Sequence, residues 1–174
     1  MEKIFLAGFN VYSPEAKPAI MEYQTLCTKY GCKALFPTTV EEARAANGKP
    51  FDTPLSESQA VFRSNLKRID VANVIIANLD YYGSYYSTSD TIFEIGYAYA
   101  KNKRIIGYVN HEYQTGYYTM RGCVVDQVGQ PSNLMVACAT MIIIQGSFDS
   151  CLEYVLDIKE DDECKIYTPV HHDT

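Results

Sequence analysis

Short apolar runs alternate along the chain with longer stretches in which apolar residues recur every three or four positions. Each short run is bounded by Gly, Pro or polar residues, which is typical of a buried β-strand. The run NVIIANL at residues 73–79 is continuous and β-branched, as expected for a central parallel strand covered on both faces. Runs of this kind predict strands at residues 3–7, 33–36, 73–79, 104–109 and 141–144.

The stretches between these runs carry helix signals. Ser13 and Pro14 predict a helix start, with Ser13 as N-cap and Pro14 at the first helical position, and Gly31 predicts its end. The polar stretch 38–54 holds an Asn-Gly pair and two prolines, and it is predicted to be a loop or lid. The predicted helices are 13–30, 56–70, 89–101, 133–140 and 147–158.

Strands that alternate with helices predict an α/β fold with a mostly parallel sheet of about five strands. The 174 residues suit one domain, which we assign to residues 1–158, followed by a polar C-terminal tail at 159–174. Ligands of such sheets bind beyond the carboxyl ends of the strands. A site is therefore expected in the loops that follow Ala7, Phe36, Leu79 and Val109.

Charge and composition exclude several classes of function. The chain has 15 Lys and Arg against 21 Asp and Glu, and this acidic balance argues against binding the nucleic-acid backbone. Its apolar runs are far shorter than the about 20 residues of a membrane-spanning helix, and no secretory leader pattern opens it. We expect a cytoplasmic protein without nucleic-acid or membrane partners. No CxxC pair is present and the three histidines do not space with cysteines, so no metal is expected.

The loop after the first predicted strand does not bind a dinucleotide. It reads Gly8-Phe9-Asn10-Val11 and lacks the GxGxxG pattern, and no GxxxxGK[ST] loop occurs in the chain. Dinucleotide oxidoreductases and P-loop phosphotransferases are therefore excluded, and no cofactor is expected.

The segment 89–100 contains a candidate nucleophile. Glu94 is predicted to lie within about the first turn of a helix, where the helix dipole and free N–H groups favour an anionic carboxylate. Thr91 and Glu94 also match a capping box, in which the Glu only closes the start of a helix. Taken alone, the segment favours this structural interpretation.

Four groups of residues, in order along the chain, resemble the nucleoside 2-deoxyribosyltransferases. They are KIFLAG at 3–8, the region from Asn65 to VIIANL at 74–79, TxFEIGYA at 91–98 and SNLM at 132–135. The resemblance implies a Rossmann-like (flavodoxin-like) three-layer sandwich. It also implies that Glu94 attacks the anomeric carbon of a nucleoside, displaces the base and forms a glycosyl-enzyme ester, from which a second free base takes the deoxyribose with retention.

The resemblance also implies which residues surround the sugar and the base. Asn133 matches an Asn that reaches across a subunit interface, which implies a homodimer or larger even assembly with shared active sites. Asn65 matches a position near the base, where an amide orients the base but donates no titrating proton. With Glu94 as the catalytic residue, the predicted substrate-binding residues are Gly8, Phe9, Asn65, Asp80, Thr88, Asp90 and Asn133.

The chain departs from the family pattern at positions that bear on the chemistry. Phe5 stands where members usually carry a Tyr whose hydroxyl steadies the Glu. Thr88 replaces an acid that contacts the sugar, and Asp90 occupies a Gly position, from which it either reaches the sugar or caps the helix. The hydroxyls of Thr88 and Ser89 at a helix N-terminus would suit a 5′-phosphate.

Three functions remain open at this point. The first is N-deoxyribosyl transfer between bases of 2′-deoxynucleosides. The second is an N-glycosidase that hydrolyses 2′-deoxynucleosides or their 5′-monophosphates with the same Glu94; Thr88 favours it, whereas Asn133 favours transfer. The third is a non-catalytic nucleotide-binding relative, since Phe5 and Thr88 each remove a polar group that the chemistry normally uses.

Overall fold

A computed structural model describes residues 1–80, 89–110, 118–120, 123–125, 134–156 and 166–167. The strands are β1 (Lys3–Ala7), β2 (Lys33–Leu35), β3 (Val74–Asn78), β4 (Arg104–Val109), β5 (Tyr118–Met120), β6 (Cys123–Val125), β7 (Ile142–Gln145) and β8 (Ile166–Tyr167). The helices are α1 (Ala16–Lys29), α2 (Val40–Asn47), α3 (Pro54–Val71), α4 (Ser89–Ala100), α5 (Leu134–Ala139) and α6 (Phe148–Leu156).

The main sheet confirms the predicted α/β fold. Its strand order is β2-β1-β3-β4-β7-β8, and β2, β1, β3, β4 and β7 are all parallel. The short β8, from the predicted tail, pairs antiparallel with β7 at the edge, and β5 pairs with β6 in a separate antiparallel ribbon. Strands β5, β6 and β8 have two or three residues and too little hydrophobic pattern to be predicted, whereas the equally short β2 lies in a run that ends at Pro37 and was predicted.

Side chains that alternate along each central strand build two apolar layers. In β1, Ile4 and Leu6 pack with Cys27 of α1 and Leu152 of α6 on one face of the sheet. On the other face, Phe5 packs among the residues of α3, α4 and α5. Because side chains alternate between the faces of a strand, a strand covered on both faces must be apolar throughout. This confirms the three-layer arrangement.

The start of the first helix differs from its prediction. Ser13 does not cap α1, which begins at Ala16 with Glu15 as an N-cap that makes no side-chain hydrogen bond. Instead the Ser13 hydroxyl accepts the N–H of Glu15 at 3.2 Å, and its carbonyl accepts the N–H of Ala16 at 3.0 Å. The Ser side chain thus stabilises a local turn that competes with the cap.

The prediction of a loop or lid at 38–54 is wrong, because this stretch contains α2. Thr39 and Glu42 form a capping box at its start, with the Thr39 hydroxyl accepting the Glu42 N–H at 3.1 Å. Gly48 ends it in the left-handed conformation at φ 71°. The polar composition that suggested a loop belongs to a short surface helix stabilised by its caps.

The strand order places a crevice at the carboxyl end of β1. The chain passes from β1 to β2 on one side of it and returns to β3 on the other, so the connections diverge at this point of the sheet. Such divergence is where ligands bind in open α/β sheets. Among the residues that the structure describes, no helix is both long and apolar enough to cross a bilayer.

Candidate active site

A cavity of about 310 Å³ opens at the carboxyl ends of β1 and β2, between α3 and α4. This size lies in the range of small-molecule sites. Of the predicted site residues, it brings Glu94, Gly8, Phe9, Asn65 and Asp90 together. The described residues that line it are Gly8, Phe9, Asn10, Val11, Tyr12, Pro37, Thr38, Val61, Asn65, Asp90, Thr91 and Glu94.

The Glu94 carboxylate lies at the buried wall of this cavity. Only 7% of Glu94 is exposed, and its Oε2 accepts the backbone N–H of Gly8 at 3.3 Å. The helical period places Glu94 on the same stripe of α4 as the buried Thr91, Ile95 and Ala98. The apolar face that docks α4 on the sheet therefore also carries the carboxylate into the fold.

The electrostatics of Glu94 differ from the helix-dipole expectation. The pKa of Glu94 is raised to about 7: burial raises it most, the hydrogen bond from Gly8 lowers it, and the charge of Asp90 also raises it. Glu94 is the sixth residue of α4, beyond the free N–H groups of the first turn. The capping-box interpretation is also wrong, because Thr91 is the third residue of the helix and does not precede it.

Gly8 is required by the geometry that holds Glu94. Its φ of 75° is left-handed, and a Cβ there would lie 2.7 Å from the Asn78 carbonyl oxygen and 2.9 Å from Thr91 Oγ1. A side chain would therefore strain the backbone and collide with both β3 and α4. The close approach of β1 to α4 brings the Gly8 N–H to the carboxylate.

Asn65 and Thr38 form the opposite wall. The Asn65 Oδ1 accepts the backbone N–H of Thr38 at 2.6 Å, and the Thr38 hydroxyl donates to Ser64 Oγ at 2.7 Å. Arg68, one turn along α3, donates to the Phe36 carbonyl and to Glu42 of α2. The loop after β2 is thus attached to α3 at several points.

Two further predicted residues lie on the lining itself. Phe9 packs edge-on against Phe36 and Tyr23, with ring centroids 5.1 and 5.9 Å away, so part of its ring belongs to the core. Asp90 is exposed at the lining, and its charge acts on Glu94. The two acids give the cavity a negative wall.

The remaining predicted residues are not among the described lining. The Asp80 carboxylate accepts the Asn110 N–H at 2.9 and 3.1 Å and the Asn110 side-chain amide at 2.7 Å, and so joins the carboxyl ends of β3 and β4. Thr88 and Asn133 lie outside the described residues. Their roles stay predictions.

Residue-level prediction missed Tyr12, Thr38 and Val61, which also line the cavity. Thr38 lies two residues after Phe36, the carboxyl end of the predicted second strand, in a loop where a site was expected. The sequence therefore indicated this loop but did not single out Thr38 within it. Val61 lies one helical turn before Asn65 on α3, so the helical period would have placed it on the same face.

Comparisons with known proteins agree with this geometry. The family profile described as nucleoside 2-deoxyribosyltransferase matches residues 4–135. A solved structure of a 2-desoxiribosyltransferase from Leishmania mexicana is 22% identical, with a TM-score of 0.71 over 92% of this chain and 100% of that chain. A 2-deoxyribosyltransferase from Bacillus psychrosaccharolyticus is 16% identical, with a TM-score of 0.56 over 88% and 95%. No curated protein sequence matches the chain significantly.

Proposed function

The chain belongs to the nucleoside 2-deoxyribosyltransferase family, and on this premise we propose that it transfers 2-deoxyribose between nucleobases through a covalent intermediate on Glu94. The observation that carries the proposal is the buried carboxylate at the cavity wall, held by the Gly8 N–H. The resemblance of the 91–98 segment to the family implies that this carboxylate is the nucleophile, which supports the proposal.

The reaction takes two displacements at one carbon. A Glu94 oxygen bonds to the anomeric carbon as the N-glycosidic bond breaks, and the bonding electrons leave with the first base, which then takes a proton from solvent. A nitrogen of the second base attacks the same carbon, loses its proton, and releases the Glu94 carboxylate. Two inversions give net retention.

Burial of Glu94 supports its role as the nucleophile. The carboxylate is desolvated in the free protein, which raises its pKa to about 7. Positive charge develops on the sugar in an oxocarbenium-like transition state and compensates the buried negative charge at that moment. The interaction is therefore stronger in the transition state than in the ground state, which is the condition for catalysis.

The charge of the cavity favours an uncharged nucleoside over a 5′-monophosphate. Asp90 and Glu94 both line it, and the described part of the lining contributes no Lys, Arg or His. A phosphate dianion would meet two carboxylates there, with a repulsion that low local dielectric strengthens.

We propose further that Asn133 of a second copy completes the sugar site, so that the active protein is a homo-oligomer.

The test is base exchange on 2′-deoxyinosine with and without free adenine, followed by chromatography. Transfer produces 2′-deoxyadenosine only when adenine is present. Glu94→Gln should lower this rate about 10³-fold or more, whereas Glu22→Gln, a matched change on the exposed face of α1, should leave it unchanged.

Other outcomes would overturn parts of the proposal. Hypoxanthine released equally with and without adenine would mean hydrolysis instead of transfer. Undiminished exchange by a folded Glu94→Gln variant would remove Glu94 as the nucleophile. Binding of 2′-deoxynucleosides without turnover of any base or of the 5′-monophosphates would indicate a non-catalytic relative.

A further inference from the structure

The turn that follows α1 brings two cysteines together on the side of the molecule away from Glu94. Cys27 lies in the last turn of α1, and Cys32 directly precedes β2. We propose that these two residues are a modification site, at which a small disulfide oxidises both thiols to an intramolecular disulfide that fastens the end of α1 to β2 and stabilises the fold. This inference does not depend on the proposed function.

A Schellman turn fixes the backbones of the two cysteines. The N–H of Cys32 donates to the Cys27 carbonyl at 2.8 Å, and the N–H of Gly31 donates to the Thr28 carbonyl at 3.1 Å, with Gly31 left-handed at φ 72°. Two residues whose backbone groups are bonded at this length have Cα atoms roughly 5 to 6 Å apart, and a disulfide spans about 4.4 to 6.8 Å. The turn therefore meets the distance requirement of a disulfide while both thiols are still reduced.

The side chains of the pair are also directed toward each other. The first and last residues of a Schellman turn usually make a hydrophobic contact, and here both of them are cysteines. The Cys32 Sγ donates to the Cys27 carbonyl at 3.2 Å, and each thiol is a hydrogen-bonding partner that shifts the pKa of the other. The sulfurs are thus neighbours in the folded chain, although four residues separate them in the sequence.

Burial keeps both thiols unreactive while the end of α1 is closed. Cys27 is 0% and Cys32 4% exposed, and burial raises the pKa of Cys27 to about 12 and raises that of Cys32 as well. Few thiolates are therefore present at neutral pH. Lys29 and Gly31, at the end of the helix, are exposed, and terminal turns open most readily. We expect opening of this one turn to expose the pair and to limit the rate of oxidation.

The oxidation takes two exchange steps. The thiolate of Cys32, the less buried of the two, attacks one sulfur of a small disulfide such as oxidised glutathione; the S–S bond of the oxidant breaks, and one small thiol leaves. The Cys27 thiolate then attacks the Cys32 sulfur, breaks this mixed disulfide and releases the second small thiol. The two cysteines lose two electrons and two protons, and one molecule of oxidant becomes two thiols.

The experiment incubates the full chain with oxidised glutathione at pH 8 without denaturant. After an acid quench, the remaining thiols are alkylated in denaturant, and a non-reduced digest is mapped by mass spectrometry. The melting temperature is measured before oxidation, after it, and after treatment with dithiothreitol. Cys32→Ala removes one partner, and Cys138→Ala, at an exposed free cysteine on α5, is the matched control.

We expect a peptide that links Cys27 to Cys32 and a rise in melting temperature of about 5 °C, because the bond restricts the unfolded chain. Dithiothreitol should reverse the rise. Relative to its own reduced form, Cys32→Ala should show no rise, whereas Cys138→Ala should show all of it.

Three results would overturn the inference. In the first, Cys27 and Cys32 are both alkylated after oxidation, with glutathione bound only at other cysteines. In the second, glutathione stays attached to Cys32 while Cys27 remains a thiol, so that the pair does not close. In the third, the linked peptide forms without any rise in melting temperature. The mapping uses the unmodified chain, so its result holds even where a variant does not fold.

Discussion

The two walls of the cavity differ in how their polar groups are stabilised. At the β1–α4 wall, a carboxylate is buried and its pKa is raised to about 7, next to a glycine whose backbone is left-handed. At the β2–α3 wall, Asn65, Thr38 and Ser64 satisfy one another through hydrogen bonds of 2.6 and 2.7 Å. The first wall holds an electrostatically unfavourable group, whereas side chains of the second wall are joined to each other and to the backbone by hydrogen bonds.

This difference separates reactivity from positioning. The negative charge of a buried nucleophile has few stabilising partners in the free protein. The positive charge that develops on the sugar therefore stabilises it most in the transition state, which favours the reaction. A group that orients a base gains from being fully anchored. Changes at the first wall should therefore have large effects on stability or rate, and changes at the second should be small and selective.

The largest effect on stability is expected from Gly8→Ala. The new Cβ would lie within 3 Å of the Asn78 carbonyl oxygen and of Thr91 Oγ1, in addition to the cost of φ 75°. We expect the free energy of unfolding to fall by about 3 to 5 kcal/mol, measured by urea denaturation.

Gly48→Ala is the matched control for this prediction. Its φ of 71° is similar, but a Cβ there meets nothing within 4 Å. It should therefore lose only about 1 kcal/mol, the conformational cost alone. Equal losses at the two glycines would show that the close packing of β1 against α4 does not constrain position 8.

The next-largest effect is a dependence of the free energy of unfolding on pH, which Glu94 causes. Its pKa is raised above the ordinary value of about 4.5 to about 7, so the folded state holds the proton more tightly than the unfolded state. Stability therefore falls by about 3 kcal/mol for this group as the pH rises from about 4.5 to about 7, and it stays level above that pH. Glu94→Gln should abolish that fall, so it should be more stable than the unmodified protein at pH 8.5 and equal to it near pH 4.

The same titration should appear in the rate of base exchange. The attacking form of Glu94 is the carboxylate, so kcat/KM should rise with pH and level off above about 7. Glu22→Gln, a change at an exposed acid, should alter neither profile. A Glu94→Gln protein with the pH-dependent stability of the unmodified chain would contradict the raised pKa.

The smallest effect is expected at the second wall, from Thr38→Val. This change removes the hydroxyl that donates to Ser64 but keeps the N–H that holds Asn65. The free energy of unfolding should fall by about 1 kcal/mol, measured by urea denaturation. Thr25→Val, at an exposed position on α1, should change stability by less than about 0.5 kcal/mol. A loss in Thr38→Val no larger than in Thr25→Val would show that the bond from Thr38 to Ser64 adds nothing to stability.

The sheet and its order of elements were predictable because they depend on local pattern. Continuous apolar runs such as NVIIANL report burial on both faces directly, and the predicted limits of β1 and β4 agree with the structure. The helix α2 was not predictable in the same way. It has only eight residues, of which only Ala43 is buried, and the Thr39–Glu42 cap and Gly48 are the signs that the segment is helical.

The fold class, the resemblance that includes Glu94, and a site at the loops after β1 and β2 could be read from the sequence. Only the packed chain shows that Asn65 accepts the Thr38 N–H, that Asp80 joins β3 to β4, and that burial raises the pKa of Glu94. The physical reason is that strands and helices follow periodic burial over neighbouring residues. The orientation of an amide or the pKa of a carboxylate instead depends on which distant backbone groups the packed chain brings within hydrogen-bond distance, and on how much water it removes.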